Sequence, residues 1–333
     1  MLELFYHPES DAAFWSAEKW IDHCDTVNPY DLRAGQIIEN VGITRSTVLP
    51  SMDFETYSEA GYTIDHATGK VSSARTSKQG GLPLVGTPNY ATHPSAAILS
   101  LGYDLKNGQG RKLWIPGSPE PRDLLDHIFN GGMIEAWNST FEWWIWNIVG
   151  VRKHGWPLLP LDQTVCVMSR SRRFSLPGGL DKAATVLGSM RKDPAGKPLI
   201  QKLTRPHSLT KSRRSFRRTP QSDWADFAKF YDYNLDDVKA EDDAAARIPD
   251  LSEAERRQWL LDQTINARGV QVDVKALDAM LYTLEEVTKR FTLELCSLTG
   301  GAVGTVNETA SFLRWLGSVG VHLPDMQAET IES

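Results

Sequence analysis

The chain has 333 residues, with 36 Lys and Arg against 42 Asp and Glu, a formal net charge of −6 and three cysteines; that length holds one large domain or two ordinary ones. An apolar content of 41% with 23% charged residues excludes a disordered or collagen-like chain, and Cys24, Cys166 and Cys296 form no C-x-x-C pair, which argues against a disulfide framework or a zinc site. No run approaches 18 apolar residues and the N-terminal MLELFYHPESD lacks a secretory pattern, so a reduced, soluble, cytoplasmic protein is expected, with no membrane partner.

Residues 1–46 read as a helical or irregular N-terminal extension around Phe14, Trp15 and Trp20. The alternation in Met52-Asp53-Phe54-Glu55-Thr56-Tyr57 predicts a strand. Residues 61–94, rich in Gly, Ser, Thr and Pro, read as loop with a hairpin around 66–70. Strands are expected at 96–103 and 111–115, either side of Lys106-Asn107-Gly108, then a helix at 123–129 that stops at Gly131-Gly132. A strand at 133–137 leads to a helix at 141–154, whose Trp143, Trp144 and Trp146 suit a core better than a base-stacking platform. A fifth strand at 160–168 and helices at 180–187 and 223–246 complete the segment. The fold class is therefore α/β, a mixed five-stranded sheet flanked by helices.

After Pro249 the strands cease. Ser252 with Glu255 forms a capping-box signature for a helix that ends at Gly269. Asp273 can cap a longer helix whose Leu277, Leu281, Leu284, Val287, Phe291, Leu295 and Leu298 recur at helical spacing up to Gly300-Gly301. Asn307 can cap a third. The expected division is 1–46, 47–248 and a small all-helical segment, 249–333.

The net charge hides a segregation. Between Arg170 and Arg218 stand 14 basic residues and only the two acids Asp181 and Asp193, about +12, which leaves −18 for the remainder. A solvated charged loop would account for a short run. A run this long, with Phe174, Phe216 and Trp224 near its edges, equally suits a polyanion-binding surface.

Three sites carry chemistry. Asp53 and Glu55 lie two apart on a strand and so share one face, where two carboxylates repel unless a cation lies between them. In Asn138-Ser139-Thr140-Phe141-Glu142 a strand gives way to a helix, and Glu142 falls in the first turn, where the macrodipole favours an acid. In Tyr233-Asn234-Leu235-Asp236-Asp237 the spacing puts Tyr233 and Asp237 on one helical face and leaves Asp236 to solvent. Each motif is common alone.

The ordered set D-x-E, N-x-x-F-E, Y-x-x-x-D resembles the 3′–5′ exonuclease (proofreading) domain of family A, polymerase I-like DNA polymerases of the phage type, the tyrosine-bearing branch of the RNase H-like superfamily. The resemblance covers roughly residues 47–247, including Tyr90-Ala91-Thr92-His93-Pro94, Ala136-Trp137-Asn138 and Leu176-Pro177-Gly178-Gly179-Leu180; residues 260–273 (LLDQTINARGVQVD) resemble the start of a polymerase thumb. It implies an RNase H-like sheet and hydrolysis of the terminal phosphodiester at a DNA 3′ end with two divalent cations, Mg²⁺ or Mn²⁺. Asp53, Glu55, Glu142 and Asp237 would be the metal ligands and catalytic carboxylates, with Asp53 bridging and Glu142 acting partly through water. Tyr233 would orient the attacking water, since a phenol with a pKa near ~10 is a poor base. Asn138 and Phe141 would shape the substrate pocket, Thr56 with its backbone would contact the 3′ nucleotide, and Arg213, Arg214 and Arg217 would lead single-stranded DNA or a frayed primer 3′ end towards it. Many relatives carry Asp where this chain has Glu142, which weakens the case for direct coordination there. No palm-like segment follows, so polymerase activity is not expected from this chain alone; a polymerase region or separate polymerase subunit is the implied partner, and a host bacterial cytoplasm the implied location. A ribonuclease D-like RNA exonuclease and a non-catalytic DNA-binding or scaffold module are the alternatives.

Overall fold

The computed structural model describes residues 49–73, 80–191, 196–305 and 307–327; the extension expected at 1–46 lies outside them. The described chain divides into two compact units, one ending at Ala267 and the other beginning at Arg268.

The first unit is built on a five-stranded sheet in the order β5-β4-β1-β6-β7. β1 (Ser51–Tyr57) is central, antiparallel to β4 (Ala97–Asp104), which is antiparallel to β5 (Lys112–Trp114). On its other side β6 (Ile134–Ala136) and β7 (Thr164–Cys166) run parallel to β1. β2 (Tyr62–Asp65) and β3 (Lys70–Ser73) form the separate hairpin expected near 66–70. Parallel neighbours need crossovers, and α2 (Arg122–Phe129) supplies one before β6. After β6, α3 (Ser139–Ile145) runs on through a π-helical turn (Trp146–Gly150) into α4 (Val151–His154). This mixed α/β sheet, flanked by helices, fits the RNase H-like expectation.

Alternation along β1 divides its side chains between two cores. Met52 and Phe54 pack with Ile98, Leu101, Ile128 and Trp146 on one face. Tyr57 faces the other, with Leu203 of α7 (Gly196–Leu203) and Phe227, Phe230 and Tyr231 of α8 (Trp224–Ala245). Trp146 is fully buried, and its indole N–H donates to the Pro157 carbonyl at 2.7 Å, whereas Trp143 and Trp144 are half-buried and pack against the edge of the same core.

In the first unit three expectations need correction. The span 61–94 is not all loop: α1 (Leu82–Thr92) occupies part of it, opened by a proline in its first turn and kinked where Gly86 takes φ 73°. The Pro and Gly that read as loop are what start and bend it. The strand expected at 160–168 shrinks to three residues, because α5 (Val167–Arg173) begins immediately after Cys166. Inside the basic run, α6 (Leu180–Leu187) is as expected and α7 is additional.

α9 (Glu253–Arg268) begins with a formed capping box, Ser252 N–H donating to Glu255 Oε2 at 2.9 Å and Glu255 N–H to Ser252 Oγ at 3.3 Å. In the second unit Asp273 caps α10 (Val274–Leu298) by accepting from Ala276 N–H at 3.0 Å. α11 (Thr309–Ser318) has Glu308, not Asn307, at its N-cap and no side-chain cap bond. Leu277, Leu281, Leu284 and Phe291 of α10 are exposed. Among the described residues no helix is long and apolar enough to cross a membrane.

Candidate active site

The face of β1 that carries Tyr57 also carries Asp53 and Glu55, and α8 lies across it. Carboxylate oxygens of Asp53, Glu55 and Asp237 come within 4.8 Å of one another. Glu55 and Asp237 are buried, whereas Asp53 keeps partial access to solvent. Asn234, one turn before Asp237 on the same helical face, donates its amide to Asp53 Oδ2 at 2.6 Å and to the Asp53 carbonyl at 3.3 Å. That pair of bonds orients the Asp53 carboxylate and ties the helix to the strand.

The close approach depends on Gly102, the β4 partner of Asp53. A Cβ there would lie 3.0 Å from Val238 Cγ2 and 3.2 Å from Asn234 Oδ1, so the missing side chain lets α8 descend onto the sheet. At the far end of β1 a bulge between Glu55 and Thr56 shifts the pairing from Ser100 to Ile98. Bulges redirect side chains at sheet ends. Beyond it, the Thr56 hydroxyl meets the Tyr90 hydroxyl at 3.0 Å, and the Tyr90 ring lies 6.2 Å from that of Phe141. Burial pushes the Tyr90 phenol up to about 12, with the Glu55 charge adding to the rise.

The remaining expected residues occupy distinct places. Asn138 precedes α3 and its carbonyl accepts from Phe141 N–H at 2.8 Å. Glu142 is buried in the first turn of α3 but does not join the three clustered carboxylates at their mutual distance. Burial raises the pKa of the neighbouring Cys166 thiol, and the Glu142 charge contributes to that rise. Tyr233 is buried, its ring stacked on Phe230 at 6.3 Å. Gly196 at the start of α7 lies close against the same ring: a Cβ there would fall 1.9 Å from Tyr233 Cε2.

The basic run is largely built into the fold. Arg170 is buried, its guanidinium 3.3 Å from Glu135 Oε2 and 3.4 Å from Asp250 Oδ1, and it donates to the carbonyls of Ala245, Ile248 and Pro249. It therefore fastens the end of α8 and contributes nothing to a surface. Residues 204–223 form an ordered lobe on the β2–β3 hairpin: Leu209 N–H donates to the Gly69 carbonyl at 2.8 Å, Val71 N–H to Ser208 Oγ at 2.9 Å, and Phe216 packs edge-on against His66 at 5.3 Å. Within the lobe Arg213 donates to the Ser208 carbonyl at 3.3 Å, Arg214 is exposed, and the Arg217 guanidinium lies 4.4 Å over the Tyr57 ring.

Sequence reasoning missed roles for Asn234, Tyr90 and Gly102. Asn234 shares a helix face with Asp237, and a glycine inside a strand often marks a close approach, so two of the three had a local signal. Tyr90 had none, because its partner Thr56 lies 34 residues away.

No protein-family model matches the sequence. The chain is 29% identical over 249 residues to a protein named DNA polymerase from Bacillus phage SP02, a match that takes in 73% of this chain and 37% of the phage protein. The region of likeness thus spans little more than a third of that relative.

Proposed function

We propose that the chain is a divalent-cation-dependent 3′–5′ exonuclease that shortens DNA from its 3′ end and works with a polymerase. One observation carries the reading: Asp53 and Glu55 of β1 and Asp237 of α8 gather within 4.8 Å at the centre of an RNase H-like sheet. The likeness to a phage DNA polymerase supports DNA as the substrate.

The donor set fits a hard cation, since three carboxylates this close repel unless positive charge offsets them. Asp53, Glu55 and Asp237 would hold Mg²⁺ or Mn²⁺, and Glu142 would serve a second ion, partly through water. Such an ion lowers the pKa of bound water and offsets charge at the scissile phosphate. The protein's own contributions are positional. Asn234 aims the Asp53 carboxylate, and the wall formed by Thr56, Tyr90 and Phe141 receives the terminal nucleotide. Tyr233, its ring stacked on Phe230 and crowded by Gly196, would orient the attacking water through its hydroxyl. Asn138 holds the first turn of α3, and thereby Phe141, in place.

The test is incubation with 5′-labelled single-stranded DNA and Mg²⁺. A ladder shortened from the 3′ end is expected, abolished by EDTA and by Asp53→Ala with Glu55→Ala. Trimming that survives the double substitution overturns the proposal. Binding of DNA without cleavage would point instead to a scaffold module, and preferential trimming of RNA in competition to a ribonuclease D-like enzyme.

A further inference from the structure

We infer that Arg217, seated on the Tyr57 ring, is a positioning residue that grips the internucleotide phosphate next to the scissile one. The inference rests on the exonuclease reading and names the part of the substrate that this arginine holds.

Arg217 differs from the ion-paired members of the basic run, and from Arg205, Arg213 and Arg214, which also lack an ion pair among the described residues, in lying over an aromatic ring with a buried Nε. Arg170, Arg173, Arg191, Lys202 and Arg218 each have a carboxylate partner. Among the described residues Arg217 has no carboxylate within ion-pair distance, and its Nε has no hydrogen-bond partner although it is buried. The titratable groups that face it are Tyr57, Glu59 and Tyr90, and of these the two phenols are neutral at neutral pH because burial raises them, so Glu59 is the one charged neighbour. A half-buried cation with an unmet donor is costly unless a ligand satisfies it. A guanidinium lying on an aromatic ring is also pre-ordered, with its N–H edge directed outward for a bidentate phosphate contact.

The platform is built to hold that geometry. Tyr57 donates its hydroxyl to Glu59 Oε1 at 3.0 Å, which fixes the ring, and Glu59 N–H donates to Ser95 Oγ at 2.8 Å. The lobe that delivers Arg217 is bonded to β3 and to Gly69, and Ser58 N–H donates to the Thr204 carbonyl at 3.3 Å. Tyr57 stands two residues beyond Glu55 on the same strand face, a step of roughly 6.6 Å along a β-strand. Successive phosphates of a strand drawn out of its stack are separated by a comparable step. With the terminal nucleotide against Thr56, Tyr90 and Phe141 on one core face and the scissile phosphate at the carboxylates, a strand that folds back along the other face, past Glu55, would bring the neighbouring phosphate over Tyr57, within reach of Arg217.

The test is a cycle between protein and substrate. An oligothymidylate carrying an uncharged methylphosphonate at the second linkage from the 3′ end is compared with the unmodified oligomer, for the unsubstituted protein, Arg217→Gln and Arg217→Lys. Kd is measured in EDTA, and kcat and KM in Mg²⁺. Arg217→Gln is expected to raise Kd and KM for the unmodified oligomer about tenfold or more, to leave kcat within about twofold, and to lower the slope of log K against log salt by roughly 0.7. Arg217→Lys should recover part of the loss, and the methylphosphonate should weaken the unsubstituted protein but not Arg217→Gln. Equal methylphosphonate penalties in both proteins, or unchanged Kd in Arg217→Gln, overturn the inference. Absence of cleavage in every protein overturns the exonuclease reading instead, and the Kd arm still decides the role of Arg217.

Discussion

Asp53 is the most exposed of the three clustered acids and depends on a neutral amide for its aim. Removing an outer partner of a metal ligand typically costs 10- to 100-fold in affinity or activity. On the proposed cation-dependent reading, Asn234→Ala is therefore expected to lower trimming about 10- to 100-fold and to raise the Mg²⁺ concentration for half-maximal rate. Loss of a buried amide that ties α8 to β1 should also cost roughly 1–3 kcal/mol of stability. An unaltered Mg²⁺ titration would refute that role for Asn234. Arg170 poses the opposite case, where stability is at stake and chemistry is not. Arg170→Met strips the guanidinium from the buried Glu135 carboxylate, a change worth about 3–5 kcal/mol. Urea unfolding should show a loss of that order, and a loss below about 1 kcal/mol would mean that Glu135 is held by other groups. These two residues also mark how far single positions are legible. The acids at 53, 55 and 237 could be picked out because period 2 on a strand and i, i+4 on a helix are local rules. Arg170 counted in the sequence as one more surface charge, since its partners Glu135 and Ile248 are distant in the chain.

At the scale of elements, the site is an agreement between β1 and α8, set by how closely the helix can lie. Gly102→Ala puts a methyl within 3.0 Å of Val238 Cγ2 and should cost about 1–3 kcal/mol by overpacking. Because Asn234 rides on the same helix, activity should fall further than stability does; equal retention of both would disprove the glycine's role. The basic lobe brings its own pH dependence. Burial holds the His207 imidazole below its usual pKa, and the charges of Arg213, Arg218 and Arg205 push the same way against the Lys202 carbonyl bond. The unfolded chain, titrating near ~6.5, then binds a proton that the folded chain refuses. Stability from this residue is full above that value and is lost as pH falls below it. Urea midpoints compared at pH 7.5 and 5.5 should drop for the unsubstituted protein and drop less for His207→Gln. Asp123 cannot imitate this effect: Lys112 and Tyr103 outweigh its burial and hold its pKa below the carboxylate norm, so its contribution is lost only in stronger acid. Element order was largely readable in the sequence, because hydrophobic period and turn residues are local. α1 and α7 were not, since Gly86 breaks the period of one and the other lies among charges and prolines.

For the whole molecule, the attachment of α9 decides where the chain can be cut. Arg256 donates to the carbonyls of Asp162 and Thr164 at 2.7 and 2.9 Å, Arg173 pairs with Glu255, and Thr140 next to Phe141 bonds Gln263 at 2.6 Å. A protein ending at residue 267 is expected to keep its melting temperature and trimming, whereas one ending at 248 should lose several degrees and part of its activity. Equal behaviour of the two would show that α9 is dispensable. On the far face of the sheet, the rings of Trp114 and Trp146 lie 4.9 and 4.8 Å from that of Trp156. Indoles held this near each other at fixed angles share their electronic excitation, so the fold carries its own optical label. Near-ultraviolet circular dichroism should show a coupled tryptophan band that vanishes when these rings separate. Every substitution at the carboxylates can then be judged by whether that band survives.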